Sequence, residues 1–446
     1  MSALLDAWRH APTQRKVWAL AAPMILSNLS VPLVALVDTA VVGHLPHAHQ
    51  LAAVAIGGNL YTLLVWAMGF LRMGTTGFAA QAAGRADGGA LRQVLLQGLA
   101  LGAVLAILLA ALAVPLSHAA LGLMRPSAEL EALALGFFQV RLFGLPATLA
   151  TFALIGWLLG TQNARGPLAM MLTINFINVG LDLLFVLGLE WGVVGVAWAS
   201  VIAEWSGMLL GLWLARTALA RYPGRIRQAA LRRWSSWRPL LTVNRDIFIR
   251  SLALQLVFFL ITVRGTRLGD TTVAANALLL TGLTLTAYAL DGLAHALEAL
   301  CGHALGARDR LALHRSLWVA GAWSLIASMG FALFFVFGGK VYVGMLTDIP
   351  EVREMALTFL PYLAVLPLVA VWSYLLDGLF IGATRAREMR NAMLIALGLA
   401  LPLGWLLRDF GNHGLWLAFV VFMALRGLVL GGYAWQLTLR DAWIGL

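Results

Sequence analysis

The chain has 446 residues, of which 61% are hydrophobic and only 11% are charged. Soluble domains carry about 25% charged residues, and the apolar runs recurring here predict an all-α polytopic membrane protein. The net charge of +11 does not indicate nucleic-acid binding, because the basic residues lie in short loops between apolar runs. The sequence has no P-loop, HExxH or GxSxG motif, so we expect neither an enzyme nor a bound cofactor or metal.

Twelve membrane helices are predicted along the chain, six in an N-terminal lobe (residues 1–220) and six in a C-terminal lobe (residues 246–446). The basic, Trp-containing stretch Arg221–Arg245 between the lobes suits a cytoplasmic linker on the membrane surface. A monomer in a lipid bilayer is expected. The predicted helices span 17–43, 52–80, 93–115, 128–160, 167–188, 193–219, 241–267, 272–304, 313–337, 354–382, 391–407 and 413–439.

Basic residues are distributed unequally between the two sides of the membrane. The side of the N-terminus holds 22 Lys and Arg residues, and the opposite loops hold six. This bias predicts a multi-pass membrane protein with both termini in the cytoplasm. The six residues on the opposite side are Arg125, Arg264, Arg267, Lys340, Arg353 and Arg408.

An internal repeat relates the two halves. One constant shift along the chain places Asp87 on Asp309 and Gly156 on Gly378, with little net gap. Because six helices form each half, the repeats share one orientation, which predicts two pseudo-symmetric lobes with a site between them. Other pairs in this register are Gly84 and Gly306, Gly160 and Gly382, Arg165 and Arg387, and Gly192 and Gly414.

Helix 1 carries one carboxylate, Asp38, and two prolines, Pro23 and Pro32. An isolated acid at membrane depth is costly and usually functional. Proline removes a backbone donor and can bend a helix. These residues predict a helix that bends in response to an ionisable group, and the position of Pro32 close to Asp38 makes it the better hinge on physical grounds.

Helix 5 presents Asn175, Asn178 and Asp182 on one face. Helix 6 adds Glu204, with Ser200 one turn before it. Carboxylates from different helices, together with amides, can hold and release protons, since burial and a neighbouring like charge favour the protonated form. The same oxygens could bind Na⁺. Alternatively, these groups form fixed hydrogen bonds that orient the helices.

The second half has a different set of polar groups. Helix 8 carries Asp291, His295 and Glu298 on one face, and helix 10 carries Asp377. A histidine between two acids can pass protons at physiological pH, and the alternative is a packed polar stripe. The register of the repeat places Leu260 and Gly404 opposite the two N-terminal aspartates, so coupling is expected mainly in the N-terminal lobe.

At these residues the sequence resembles the multidrug and toxic compound extrusion (MATE) transporters, and in particular their DinF-like branch. The resemblance is carried by AAPMILSNLSVPLVALVDTAVVGHL, LLGTQNARGP, NFINVGLDLLFVLGL and TAYALDGLAHALEALCGHALGARD. It implies a secondary active antiporter of the bacterial inner membrane that exports amphipathic, often cationic compounds in exchange for H⁺ or Na⁺ by alternating access.

The resemblance also implies roles for individual residues. Asp38 and Asp182 match the family's proton-coupling aspartates, Asn178 matches their neighbouring amide, and Pro23 matches the proline at which helix 1 bends. Ser200 matches a polar hydroxyl on helix 6. The side chains expected to line the cavity are Asn59, Tyr61, Asn175 and Ser200.

Several alternatives remain open at this point. In the Na⁺-coupled branch of the family, acids on helices 7 and 10 have been implicated. Helix 10 of this chain has Asp377, but the segment SLALQLVFFLITV of helix 7 has no acid. The missing acid favours protons over Na⁺ as the coupling ion. A lipid-linked oligosaccharide flippase of a related superfamily would need more intramembrane cations than Arg72, Arg141 and Arg426. A major-facilitator transporter fits the helix count, but the loop AGRADGGALRQ matches its signature poorly. A membrane-embedded enzyme is disfavoured by the duplicated lobes.

Overall fold

The computed structural model describes residues 2–43, 47–124, 126–226 and 231–443; of the side chains in these ranges, those of residues 2–5, 33–39 and 123 are not described. Helices dominate the described residues, which contain no strand. The helices are α1 (Ser2–Arg9), α2 (Ala11–Val42), α3 (Ala48–Trp66), α4 (Phe70–Gly84), α5 (Gly88–Met124), α6 (Ala128–Leu142), α7 (Leu145–Gly160), α8 (Arg165–Asp182), α9 (Gly192–Leu219), α10 (Trp234–Arg267), α11 (Asp270–Gly306), α12 (Arg310–Leu346), α13 (Pro350–Gly382), α14 (Ala386–Leu406) and α15 (Gly411–Leu439).

By length and composition, nine stretches of the described chain could cross a membrane, and the bent pair formed by α6 and α7 makes a tenth. One of the nine, Ala386–Leu439, contains both α14 and α15, joined by the 3₁₀ turn Leu407–Phe410. Counting α14 and α15 separately raises the number from ten to eleven, and α2 makes a twelfth. The helices therefore agree with the predicted twelve-helix, all-α membrane fold.

Two of the predicted helices are each divided into two α-helices. The fourth bends by 47° where α6 meets α7, because Phe143 and Gly144 separate the two helices and Pro146 stands in the first turn of α7. The second contains the 3₁₀ turn Ala67–Gly69 between α3 and α4. In contrast, the backbone of α2 is helical through both Pro23 and Pro32, so their role as hinges stays a prediction.

Two compact units make up the chain. One comprises Met1–Ile25 and Leu241–Leu446, and the other comprises Leu26–Leu240. The boundary within α2 falls between Ile25 and Leu26, so the first half of this helix packs with the second half of the chain. We call the two units the C-unit and the N-unit. The Arg221–Arg245 stretch is irregular through residue 226, and α10 begins within it at Trp234.

Equivalent contacts recur in both units in the register of the repeat. A Cβ at Gly156 would clash with the carbonyl of Arg72, and a Cβ at Gly378 would clash with the carbonyl of Ala294, the counterpart of Arg72 in the second half. Gly160 approaches the carbonyl of Thr76, and its repeat partner approaches that of Glu298 in the same way. These glycines let α7 pack closely on α4, and α13 on α11. The duplication therefore preserves backbone contacts as well as residue types.

The loops that follow these helices are also duplicated. Ala86 and Arg308, which are equivalent in the repeat, have φ angles of 53° and 56°. Asp87 Oδ1 then accepts a bond from the Ala90 N–H at the start of α5, and Asp309 Oδ1 accepts the corresponding bond at the start of α12. Both carboxylates satisfy backbone donors that a helix N-terminus leaves unpaired.

Candidate functional site

The polar face of α8 forms the centre of the site in the N-unit. Asn178 is 5% exposed and Asp182 is 1% exposed, while Asn175 is half-buried on the same face. Asp182 is the last residue of α8, and the chain continues directly into the π-helical turn Leu183–Gly188. π-helical turns are frequent at functional sites because they displace side chains from the regular helical spacing. The predicted inward orientation of this face agrees with its burial.

Two side-chain hydrogen bonds join α8 to its neighbours. Asn175 Nδ2 donates to Ser30 Oγ of α2 at 3.0 Å, and Ser30 Oγ donates to the Ser27 carbonyl at 2.7 Å. Asn178 Nδ2 donates to Ser200 Oγ of α9 at 3.4 Å. The side chain of Asp38 lies outside the described residues, so its expected pairing with Asp182 stays a prediction. The backbone at Asp38 is helical.

A cavity of about 280 Å³ lies in the N-unit beside this polar face. Two of the predicted cavity residues, Tyr61 and Ser200, line it. The other two do not: Asn59 is exposed on α3, and the Asn175 amide is bonded to α2 instead. Most of the wall is apolar, and Ser200 connects it to Asn178. The full lining is Val42, Leu51, Val54, Ala55, Gly58, Tyr61, Thr62, Phe137, Arg141, Val196 and Ser200.

An ion pair borders the same cavity where α6 and α7 meet. Arg141 Nη2 lies 2.7 Å from Glu204 Oε1, and the two side chains are only 11% and 14% exposed. The Arg141 guanidinium stacks on Tyr61, 4.0 Å from the ring centroid. The Tyr61 hydroxyl lies 3.1 Å from Thr148 Oγ1 and donates to Glu204 Oε2 at 3.5 Å. A Cβ at Gly144 would overlap Glu204 Oε2, so a larger residue there would displace this carboxylate from its present position.

The pairing of Glu204 with Arg141 was not predicted from the sequence. The two residues stand 63 positions apart on different helices, and no periodicity within one helix brings them together. The only local signal was the Gly144–Leu145–Pro146 sequence, which favours a helix break beside Arg141.

The acids of the C-unit fall into two groups. On α11, Glu298 is 1% exposed, and Asp291 and His295 are half-buried. On α13, Asp377 is 6% exposed and its Oδ2 accepts hydrogen bonds from Arg250 and from Arg426, the latter at 3.1 Å. The hydrogen bonds of Asp377 thus go to arginines, and a proton relay through all four predicted residues stays a prediction.

Two buried charges of α10 were not predicted from the sequence. One is Arg250, which binds Asp377 across 127 positions. The other is Asp246, 2% exposed, whose Oδ1 accepts from Arg390 Nη1 at 2.8 Å and from Arg245 Nη2 at 2.8 Å. Both lie before Ser251, in the polar first part of the helix, where the local sequence gives no sign that a charged side chain is buried.

No cluster of three or more His, Cys, Asp or Glu side chains that could hold a metal ion occurs among the described residues. The single cysteine, Cys301, is fully buried in α11.

Comparisons with known proteins agree with this architecture. The sequence profile of the MatE family matches residues 23–184 and 247–406, one match in each half. The DNA damage-inducible protein F of Escherichia coli K12 is 44% identical over 424 residues, covering 94% of this chain and 91% of that protein. A probable multidrug resistance protein NorM of Xanthomonas campestris is 27% identical over 450 residues, covering 95% and 94%.

Solved structures resemble this fold along its whole length. A crystal structure of MATE in the bent conformation superposes with a TM-score of 0.85 at 18% identity and covers 99% of this chain and 98% of that one. The outward-facing conformation of a multidrug resistance MATE family transporter has a TM-score of 0.84 at 19% identity, with 97% of each chain covered. The matched profile covers most of this sequence and both halves, and the chain therefore belongs to the MatE family of multidrug efflux transporters.

Proposed function

We propose that this chain is a secondary active antiporter that exports amphipathic, often cationic compounds across the bacterial inner membrane in exchange for protons. The observation that carries the proposal is the burial of Asp182 on the polar face of α8, next to the Asn178–Ser200 hydrogen bond. Burial of an acid at membrane depth is costly, and such residues usually mark ion or proton pathways. A carboxylate there can be neutral when protonated and charged when the proton leaves.

A hydrogen bond joins α2 to the face of α8 on which this carboxylate lies. Asn175 is joined to Ser30 on α2, and α2 also carries Asp38. In the proposed cycle, Asp38 and Asp182 take up a proton from outside, the hydrogen bonds rearrange, and α2 bends at Pro23. The substrate then leaves the N-unit. A proton entering the cytoplasm down a potential of 100 mV supplies about 2.3 kcal/mol from the potential alone.

The N-unit cavity has the chemistry that an amphipathic compound requires. Its apolar wall includes Phe137 and the ring of Tyr61, which suit a hydrophobic body. The Ser200 hydroxyl on the wall can orient a hydrogen-bonding group of the substrate, and the charge of Arg141, which also lines the cavity, is neutralised by Glu204. A largely apolar pocket with few polar groups tolerates ligands of varied shape.

Proton coupling, rather than Na⁺ coupling, is supported by the surroundings of Asp377. Its carboxylate already has two guanidinium partners, Arg250 and Arg426. A hard cation such as Na⁺ needs several oxygen ligands, and fixed positive charges on this carboxylate oppose the binding of another cation. We therefore assign the proton-exchanging carboxylates to the first half of the chain.

Efflux from proteoliposomes tests the proposal. With an imposed pH gradient at equal Na⁺, the wild-type protein should export a lipophilic cation such as tetraphenylphosphonium. Asp182→Asn and Asp38→Asn should each lose at least about 90% of this export, because neither variant can exchange a proton at that position. Glu351→Gln, which neutralises an exposed acid of α13, is the matched control and should keep full activity. Full proton-driven export by Asp182→Asn, or export driven by a Na⁺ gradient alone, would contradict the proposal.

We propose a cytoplasmic location for both termini on the basis of the distribution of basic residues. Because Cys301 is fully buried, a single introduced cysteine can report its own accessibility. In intact cells, a membrane-impermeant maleimide should label Asp348→Cys, in the exposed loop between α12 and α13. It should label Ala307→Cys, between α11 and α12, only after permeabilisation. The reverse pattern would invert the topology.

A further inference from the structure

A second cavity, in the C-unit, has a different character from the one in the N-unit. It is a groove of about 230 Å³ between α10, α14 and α15. Its walls are almost entirely aliphatic and aromatic, with Ile261 on α10, Leu397 on α14, and Phe419 and Phe422 on α15. Gly404 leaves open space in the groove. A Cβ built on this residue would lie 3.7 Å from Ala418 Cβ, which is its nearest neighbour outside its own helix.

Two arginines lie at one end of this groove, and the backbone of a third contacts one of them. Arg264 and Arg267, close together at the end of α10, both line it. Arg264 Nη2 donates to the carbonyl of Arg408 at 2.9 Å, which places the turn after α14 at the same end. The Arg408 guanidinium lies 4.6 Å from the ring of Trp405, which is 63% exposed.

These positive charges are poorly compensated. Arg408 has a carboxylate neighbour, Asp409 Oδ1 at 3.5 Å, but that acid is 83% exposed. Neither Arg264 nor Arg267 forms an ion pair with an acid in the part of the chain that the structure describes. This end of the groove therefore carries net positive charge next to the apolar walls.

The position of these arginines is unusual for a membrane protein. The side opposite the termini is predicted to hold only six Lys and Arg residues. Two of the six line this groove, and the backbone carbonyl of a third, Arg408, bonds to one of them. The positive-inside bias depletes cations from that side. A concentration of them at one point indicates binding of an anionic group rather than a role in topology.

We propose that this groove binds an anionic phospholipid of the bilayer. One acyl chain lies between α10, α14 and α15, and the phosphate contacts Arg264 and Arg267, with Arg408 close by. Trp405 suits the headgroup level, where indole rings are enriched. Charge complementarity selects an anionic headgroup, and the apolar walls require an acyl chain. Inorganic phosphate would contact the arginines but not the apolar walls. A zwitterionic lipid would place its acyl chain in the groove but would gain less from the positive charge.

Native mass spectrometry of the detergent-solubilised, full-length protein tests the proposal with phosphatidylglycerol and phosphatidylcholine of identical chains. The wild type should bind phosphatidylglycerol about tenfold more tightly, as expected for basic side chains at an anionic headgroup. Arg264→Gln/Arg267→Gln should remove this preference, and Arg264→Lys/Arg267→Lys should keep most of it. Gly404→Phe fills the groove without touching the arginines and should weaken retention of both lipids.

The matched control is Lys340→Gln, which removes one exposed cation on the same predicted side but away from the groove. It should leave the lipid preference unchanged, whereas Arg267→Gln alone should reduce it. Equal affinity of the wild type for the two lipids would overturn the proposal. So would an equal loss in Lys340→Gln, or displacement of the lipid by millimolar inorganic phosphate. None of these outcomes bears on proton coupling, which is measured by transport.

Discussion

The Arg141–Glu204 pair makes the sharpest prediction about the N-unit. We consider three variants, Arg141→Gln, Glu204→Gln and the double variant. Each single change leaves one charge almost fully buried, because the two side chains are only 11% and 14% exposed. Breaking a buried pair from one side costs about 3–5 kcal/mol, whereas replacing both partners leaves no unpaired charge and costs less.

A second contribution distinguishes the two single variants. Glu204→Gln keeps the guanidinium 4.0 Å from the Tyr61 ring, while Arg141→Gln removes that cation–π contact, worth about 0.5–2 kcal/mol. In Arg141→Gln the Glu204 carboxylate also loses the guanidinium and keeps the weaker hydrogen bond from the Tyr61 hydroxyl, which is 3.5 Å long. We therefore expect the order of stability to be wild type, double variant, Glu204→Gln and Arg141→Gln.

The assay is thermal unfolding of the purified protein in one detergent, followed by size-exclusion chromatography of the heated samples. Both single variants should lose about 5 °C or more in apparent midpoint, and the double variant should recover part of that loss. Gly144→Ala is an independent probe: its Cβ would overlap Glu204 Oε2, so it should resemble Glu204→Gln without changing any charge. Strictly additive losses in the double variant would refute the claim that the two residues act as a pair.

Two further predictions concern the C-unit. Asp377→Asn leaves Arg250 and Arg426 buried without their shared carboxylate, whereas Arg250→Met still leaves Asp377 one arginine partner. Asp377→Asn should therefore lower the midpoint of thermal unfolding more than Arg250→Met does. An equal effect of the two variants would contradict this. The Arg315 guanidinium beside Asp6 holds the pKa of that exposed carboxyl below its usual range. The contact therefore stabilises the folded protein at pH values above the pKa that Asp6 has in the unfolded chain, and this stabilisation is lost as the pH falls through the lower pKa of the folded protein. The protection of the α1 amides, taken as the intrinsic exchange rate at each pH divided by the measured rate, should therefore fall below about pH 4. Asp6→Asn should show the lower protection already at pH 7.

The sequence was sufficient to predict the helices, their approximate number, the duplication and the polar face of α8. Each of these depends on local spacing: long apolar runs span the bilayer, and Asn175, Asn178 and Asp182 share a face because of the 3.6-residue turn. The register of the repeat also predicted which glycines are equivalent. The structure then showed that Gly156 and Gly378 meet equivalent carbonyls.

The ion pairs were decided by the tertiary structure alone. Arg141 meets Glu204, and Arg250 meets Asp377, across 63 and 127 positions, because of how each helix is rotated and packed. A one-residue rotation of a helix turns a side chain by about 100°, so the pairing cannot be read from the order of residues. Packing likewise brings the Asp377 carboxylate to Arg250 and Arg426, and the Asn178 amide to Ser200.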